Sequence, residues 1–209
     1  GVAINNTTAY LLTFDTAMNK LRLYSSNDGA TWTELSIQQY PSLYKTFNFL
    51  KIIIQNNELY LLSSTEENAI KKPLLLVYDL ATITIKRSSI ICNDSFTNFN
   101  FFGGSLIING NEVSALYTYF YPSADFRVMF GRSLDKGVTW NRCGKTQQSL
   151  FFTDRPSPLT KNGNRLSYFV NNGFDANQLI AVESLDGGIT WQSKKTIYSL
   201  NPAEPLKNL

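Results

Sequence analysis

Two aspartates stand in the same setting. Asp135 lies in Ser133-Leu134-Asp135-Lys136-Gly137-Val138-Thr139-Trp140, and Asp186 in Ser184-Leu185-Asp186-Gly187-Gly188-Ile189-Thr190-Trp191. Carboxylates at fixed spacing beside Ser and Thr hydroxyls are the first candidates for proton transfer. Their surroundings argue for other chemistry. The Gly two residues on permits the left-handed backbone of a tight turn, and a short acidic side chain accepts hydrogen bonds from the turn's own N–H groups. Such bonds favour the charged form, so the carboxylate is a poor acid or base near neutrality. The octet is expected to be a structural fastening, with the closing Trp ring packed beneath the turn.

Other chemistry is narrowed by composition. The chain has no His, which removes the usual general base and the commonest metal ligand. With Cys92 and Cys143 alone, a Cys/His zinc site is excluded, and neither metal nor cofactor is expected. Those two residues allow one disulfide or two buried thiols, and the sequence does not choose. A formal net charge of +3, with Lys and Arg scattered, gives no stripe for nucleic acid. No apolar run approaches the roughly 20 residues of a membrane span.

The octet recurs, and its recurrence organises the chain. A third copy is Ser25-Ser26-Asn27-Asp28-Gly29-Ala30-Thr31-Trp32, with Asn27 in the Asp place, Gly29 in the Gly place and Trp32 at the end. Trp191 follows Trp140 by 51 residues, and Trp140 follows Trp32 by 108, which is two periods. A worn copy falls in the gap: Leu76-Val77-Tyr78-Asp79-Leu80-Ala81-Thr82-Ile83, with Ile83 51 residues after Trp32. Turn signals keep the same phase at Ile4-Asn5-Asn6, Gln55-Asn56-Asn57, Asn109-Gly110-Asn111 and Asn162-Gly163-Asn164. Alternating apolar runs follow each of them, at Ala9–Phe14, Glu58–Leu62, Glu112–Tyr119 and Arg165–Val170, and predict half-buried strands.

The expectation is an all-β chain of four-stranded antiparallel units, the unit of a β-propeller blade. It is a single region over 1–209, with repeats at about 1–44, 45–97, 98–148 and 149–200. Residues 201–209 echo the start of a fifth, either as part of a ring of about six blades or as a strand that pairs beside the N-terminal one and closes a ring of four.

The pattern Ser-x-Asp-x-Gly-x-Thr-Trp resembles the Asp-box, or BNR repeat, of the sialidase-like propellers. Ser133, Asp135, Gly137 and Trp140, and Ser184, Asp186, Gly188 and Trp191, match it fully; Ser25, Asn27, Gly29 and Trp32 match with one change. In that family the boxes lie on the face opposite the active site. The resemblance therefore directs attention to the other face, at strand entries and at loops between second and third strands. There, Asp154-Arg155-Pro156 is similar to the Arg-Ile-Pro segment whose Arg grips a substrate carboxylate. Arg22 and Arg127 are further ligand-gripping candidates on third strands. Arg155, Asp154, Arg127, Glu183 and Tyr168 are the catalytic candidates, Tyr168 with Glu183 as nucleophile and partner. None of them stands in a complete catalytic motif. The resemblance implies a secreted or extracellular module that binds a glycan or a protein on the face opposite the octets, without catalysis of its own. Alternatives are an exo-sialidase-type glycosidase of which the chain is part, and an assembly propeller in a multi-protein complex.

Overall fold

The computed structural model describes residues 1–40, 51–67, 70–93, 96–97, 100–121, 125–146, 158–172 and 175–199. Four antiparallel sheets follow one another along the chain, each with its strands in sequence order. The first holds β1 (Val2–Asn5), β2 (Thr8–Asp15), β3 (Lys20–Ser26) and β4 (Thr33–Leu35). The second holds β5 (Lys51–Gln55), β6 (Glu58–Glu67), β7 (Ile70–Asp79) and β8 (Thr84–Ile90). A short β9 (Phe96–Thr97) also pairs with β7. The sequence pattern does not signal β9. It forms because β7 outruns β8, so Ile70 and Lys71 pair with Thr97 and Phe96.

The third sheet holds β10 (Asn100–Asn109), β11 (Glu112–Tyr121), β12 (Asp125–Ser133) and β13 (Arg142–Lys145). The fourth holds β14 (Thr160–Asn162), β15 (Arg165–Asn172), β16 (Asp175–Ser184) and β17 (Gln192–Ser199). Among the described residues there is no α-helix, only a 3-10 turn at Ile91–Asn93.

Side chains alternate between the two faces of each sheet, and both faces are apolar where sheets meet. Three cores result, each shared by consecutive blades. Leu12, Leu21 and Leu23 of blade 1 pack on Leu59, Leu61, Leu74 and Leu76 of blade 2. The other face of blade 2, with Tyr60, Leu62, Leu75 and Val77, packs on Val113, Ala115 and Tyr117 of blade 3. Leu116, Val128 and Phe130 of blade 3 then meet Leu166, Tyr168 and Val182 of blade 4. First strands contact one another from blade to blade, β1 with β5 and β5 with β10. They form the inner rank, and β4, β8, β13 and β17 stand at the other end of each strand order.

Cys92, just after β8, and Cys143 on β13 form a disulfide. The choice left open by the sequence is settled as a covalent staple between blades 2 and 3.

Both hairpin turns of a blade lie at the same end. The N–H of Leu80 donates to Asn57 O at 3.0 Å, that of Lys136 to Asn111 O at 2.7 Å, and that of Gly187 to Asn164 O at 2.8 Å. The Asn/Gly turns and the octet turns are therefore stitched side by side, which explains why the two sequence markers keep one phase. Connections between second and third strands, and those between blades, emerge at the opposite end.

Candidate functional site

The octet turns are closed networks. Ser133 Oγ accepts the Gly137 N–H at 2.8 Å and donates to Asp135 Oδ1 at 2.7 Å. Asp135 in turn accepts the Thr139 N–H at 2.8 Å and the Thr139 hydroxyl at 2.6 Å. Ser184, Asp186, Gly188 and Thr190 repeat this arrangement bond for bond. Gly137 and Gly188 take φ of +85° and +93°, and a β-carbon would strike Leu75 and Phe130 respectively. The Thr139 hydroxyl, its N–H and Ser133 hold Asp135 down at about 2, and the same contacts from Thr190 and Ser184 hold Asp186 well below the carboxylate range.

The first copy corrects the sequence alignment. Ser26, not Ser25, accepts the Gly29 N–H at 2.9 Å and donates to Asp28 Oδ1 at 2.9 Å. Asp28, not Asn27, accepts the N–H groups of Ala30 and Thr31, both at 2.8 Å. Asn27 instead accepts the Thr8 hydroxyl at 2.8 Å. The reason is ladder register. Ser26 pairs with Ala9 as Ser133 pairs with Val113 and Ser184 with Leu166, so only Ser26 points into the turn. This copy is one residue shorter between Ser and Gly. In the worn copy Tyr78 fills the Ser place, paired with Leu59 and fully buried. There Asp79 still accepts the Ala81 N–H at 2.8 Å, and Ile83 carries the positive φ of 56°.

The octet turns of blades 2 to 4 are also gripped by the preceding blade. The Gln38 N–H donates to Ile83 O at 3.1 Å, Ser89 Oγ donates to Gly137 O at 2.5 Å, and Arg142 Nη1 donates to Asp186 O at 2.8 Å and Gly187 O at 3.1 Å. The Trp rings reach back in the same direction. Trp140 Nε1 donates to Ser89 Oγ at 3.1 Å, and Trp191 lies edge-on to Phe130 with centroids 5.1 Å apart. Trp140 and Trp191 thus pack between blades, whereas Trp32 is exposed.

A second set of charged groups sits beside the turns, and the sequence motifs do not reveal it. The first residue after each Asn/Gly turn is Glu58, Glu112 or Arg165 in blades 2 to 4. Glu58 pairs with Lys86 at 2.7 Å and Arg87 at 2.8 Å and accepts the Tyr60 hydroxyl at 2.8 Å. Glu112 pairs with Arg132 at 2.6 Å and with Lys161 of blade 4. Arg165 pairs with Glu183, the same cross-strand arrangement with the charges exchanged. Burial opposes the Glu58 charge, but bonds from Arg87, Lys86 and Tyr60 outweigh it and bring its pKa to about 2.

These depressed carboxylates fix the sign of the acid response. Below about pH 4.5 the unfolded chain binds more protons than the folded one, so stability is complete above that pH and is lost as pH falls toward 2. Urea midpoints measured at pH 6, 4 and 3 should fall in that order; a flat series would contradict the assignment.

The catalytic pair expected from Tyr168 and Glu183 is not formed. Tyr168 is paired with Val182 across the sheet, so Glu183, the next residue, points to the other face. The Tyr168 hydroxyl is buried and bonded to Thr146, and burial pushes its pKa above the ordinary value. Glu183 sits at the octet end with Arg165. A phenol sealed between blades 3 and 4 reaches no substrate.

Of the guanidinium candidates, Arg22 lies toward the end of β3 away from the turns. Its Nε and Nη2 donate to Asp15 at 3.1 and 2.9 Å, and its Nη1 to Glu34 at 2.9 Å. It is held within blade 1. Arg127 is half-buried near the start of β12, opposite Tyr119, at that same end. Asp154 and Arg155 lie outside the described residues. Among the described residues no group of three His, Cys, Asp or Glu could hold a metal, and no helix is long and apolar enough to cross a membrane.

Neither a protein-family model nor a curated protein matches the chain. Solved structures do. An endo-arabinase from Bacteroides thetaiotaomicron matches over 95% of this chain and 80% of its own, with 14% identity and a TM-score of 0.61. An α-L-arabinanase from Penicillium chrysogenum, complexed with arabinobiose, matches over 92% and 65%, with 15% identity and a TM-score of 0.62. A subtype N10 neuraminidase-like protein of A/little yellow-shouldered bat/Guatemala/060/2010 matches over 92% and 56%, with 10% identity and a TM-score of 0.56. The chain thus has the fold of β-propeller proteins, built from four-stranded antiparallel sheets.

Proposed function

We propose that this chain is a glycan-binding β-propeller module whose ligand face lies at the end of the blades opposite the octet turns. The supporting observation is the commitment of the octet end. Asp28, Asp135 and Asp186 are bound into turns, and Glu58, Glu112 and Glu183 into ion pairs. Glycoside hydrolysis needs a carboxyl pair flanking open space, and those groups do not offer one. Arg127 and Arg155 are the proposed ligand contacts, with Arg22 held by its acidic neighbours. The inter-blade disulfide fits an oxidising, extracellular setting.

Hydrolysis is the second reading, favoured by the fold shared with an endo-arabinase and an arabinanase. Titration with arabinobiose, galactotriose and a sialyl-lactose, beside a chromogenic glycoside assay, separates the two. Binding without turnover is expected, with Arg155→Ala weakening it about tenfold or more, as for a lost charge-assisted contact. Turnover that Arg155→Ala abolishes would establish the hydrolase reading. Absence of binding across a broad glycan array would end the glycan assignment and leave a protein ligand.

A further inference from the structure

The octet lock is made by Ser, Asp, Gly, Thr and Trp, and it leaves the second and sixth places to solvent. In blade 3 these places hold Leu134 and Val138, 55% and 57% exposed. In blade 4 they hold Leu185 and Ile189, 60% and 61% exposed. The turn requires no apolar residue at either place. Blade 1 has Asn27 and Ala30 there, and its network closes all the same. Asp135 and Asp186 turn inward to the N–H groups, while the Leu before each stands outward. Exposed aliphatic residues are ordinarily scattered singly. A pair repeated at matching places on neighbouring turns is not scatter.

The charges around these tips are sorted by sign. The carboxylates are committed inside: Asp135 and Asp186 to turn N–H groups, Glu112 to Arg132 and Lys161, and Glu183 to Arg165. The cations reach outward. Arg165 is 63% exposed beside the Asn/Gly turn that is stitched to the blade 4 octet, while its partner Glu183 is 4% exposed. Lys136 stands between Leu134 and Val138 in one turn and is partly exposed. Four aliphatic side chains on two narrow turns fall well short of the roughly 800 Å² that a stable protein partner covers on each side, and they include no aromatic anchor. A bilayer asks for no matching shape. It takes separate apolar tips into the boundary between headgroups and acyl chains, and anionic headgroups attract the cations beside them.

We propose that the octet tips of blades 3 and 4 dock on the surface of an anionic lipid bilayer. Leu134, Val138, Leu185 and Ile189 enter the boundary layer, and Lys136 and Arg165 meet the headgroup phosphates. The contact lies on the membrane and does not span it. Docking by this end leaves the opposite end of the blades, where the ligand face is proposed, turned away from the bilayer. The docking itself does not depend on that reading.

Co-sedimentation of the chain with vesicles free of glycolipid tests it. Phosphatidylcholine vesicles with about one third phosphatidylglycerol should carry the chain down, and pure phosphatidylcholine should bind it about tenfold or more weakly. Salt at about 0.5 M should release it from the anionic vesicles. Leu185→Ser with Ile189→Ser, and separately Leu134→Ser with Val138→Ser, should each weaken binding about tenfold or more, the loss expected when half-exposed aliphatic side chains no longer leave water. All four places are exposed, so circular dichroism should be unchanged. If either pair unfolds the chain, Lys136→Glu carries the test, weakening binding to anionic vesicles alone. Met18→Ser removes an apolar side chain, 67% exposed, from the β2–β3 connection at the other end and should change nothing. No sedimentation with anionic vesicles up to about 1 mM lipid, ten times what a single acyl chain needs, would overturn the inference and leave the tips to a protein partner. Binding that the tip variants leave intact, or that Met18→Ser weakens equally, would overturn it too.

Discussion

Replacing Cys92 and Cys143 together by Ser should lower the unfolding free energy by about 4 kcal/mol, taking the entropy of a closed loop of this length. The loop spans 51 residues, and its closure ties the segment after β8 to β13. The bond acts where two blades meet. Ile91, next to Cys92, is fully buried in the core shared by blades 2 and 3. A β-carbon at Gly131 would meet both Cys92 Sγ and the Trp140 ring, so the staple lies directly on the sheet. The loss should appear as a lower urea midpoint with a somewhat steeper slope, because the unlinked denatured chain exposes more surface. Reduction with dithiothreitol should reproduce the variant. A change below about 1 kcal/mol would mean that the reduced chain keeps the two blades together in its denatured state.

The fold was legible in the chain because one spacing controls it. The 51-residue period, the octets and the Asn/Gly turns place all four sheets before any geometry is known, since a turn signal in fixed phase leaves room for only one strand order. The two cysteines are separated by that same period, which puts them in neighbouring blades, but no spacing reveals whether their side chains meet.

Facing was not legible. Counting back from Trp32 selects Ser25 and Asn27, whereas the ladder selects Ser26 and Asp28, because pairing with Ala9 decides which side chain enters the turn. The same two-residue alternation separates Tyr168 from Glu183, adjacent as candidates and divided by the sheet. The acidic or basic residue after the Asn/Gly turns of blades 2 to 4 is the signal that the motifs do not carry. Glu58, Glu112 and Arg165 recur at one position, and a charge that recurs at the start of a buried strand requires a partner nearby.

Glu58 is where that requirement has its largest consequence. Glu58→Ala should cost about 3–5 kcal/mol, the range for breaking a buried ion pair from one side. The carboxylate is almost completely buried and holds three donors: Lys86, Arg87 and the Tyr60 hydroxyl. Lys86 is about half exposed and can turn to water, but Arg87 is not, its guanidinium lying 6.0 Å from the Tyr60 ring centre. Without Glu58 that cation remains at the edge of the core between blades 2 and 3 with its main counterion gone. Tyr60, whose own pKa burial and Glu58 together push up to about 12, loses its acceptor as well. Glu58→Gln keeps the shape and some of the bonds, so it should cost less. It should also remove part of the fall in stability between pH 4.5 and 2, since the titrating group is gone. The double variant Glu58→Leu with Arg87→Leu separates pairing from packing. If the cost arises from an uncompensated charge, the double variant is more stable than Glu58→Ala, with a coupling of 1 kcal/mol or more, on the order seen for contacting residues. Additive losses would place the energy in the packing of blade 2 on blade 3, and the charges would then serve register alone.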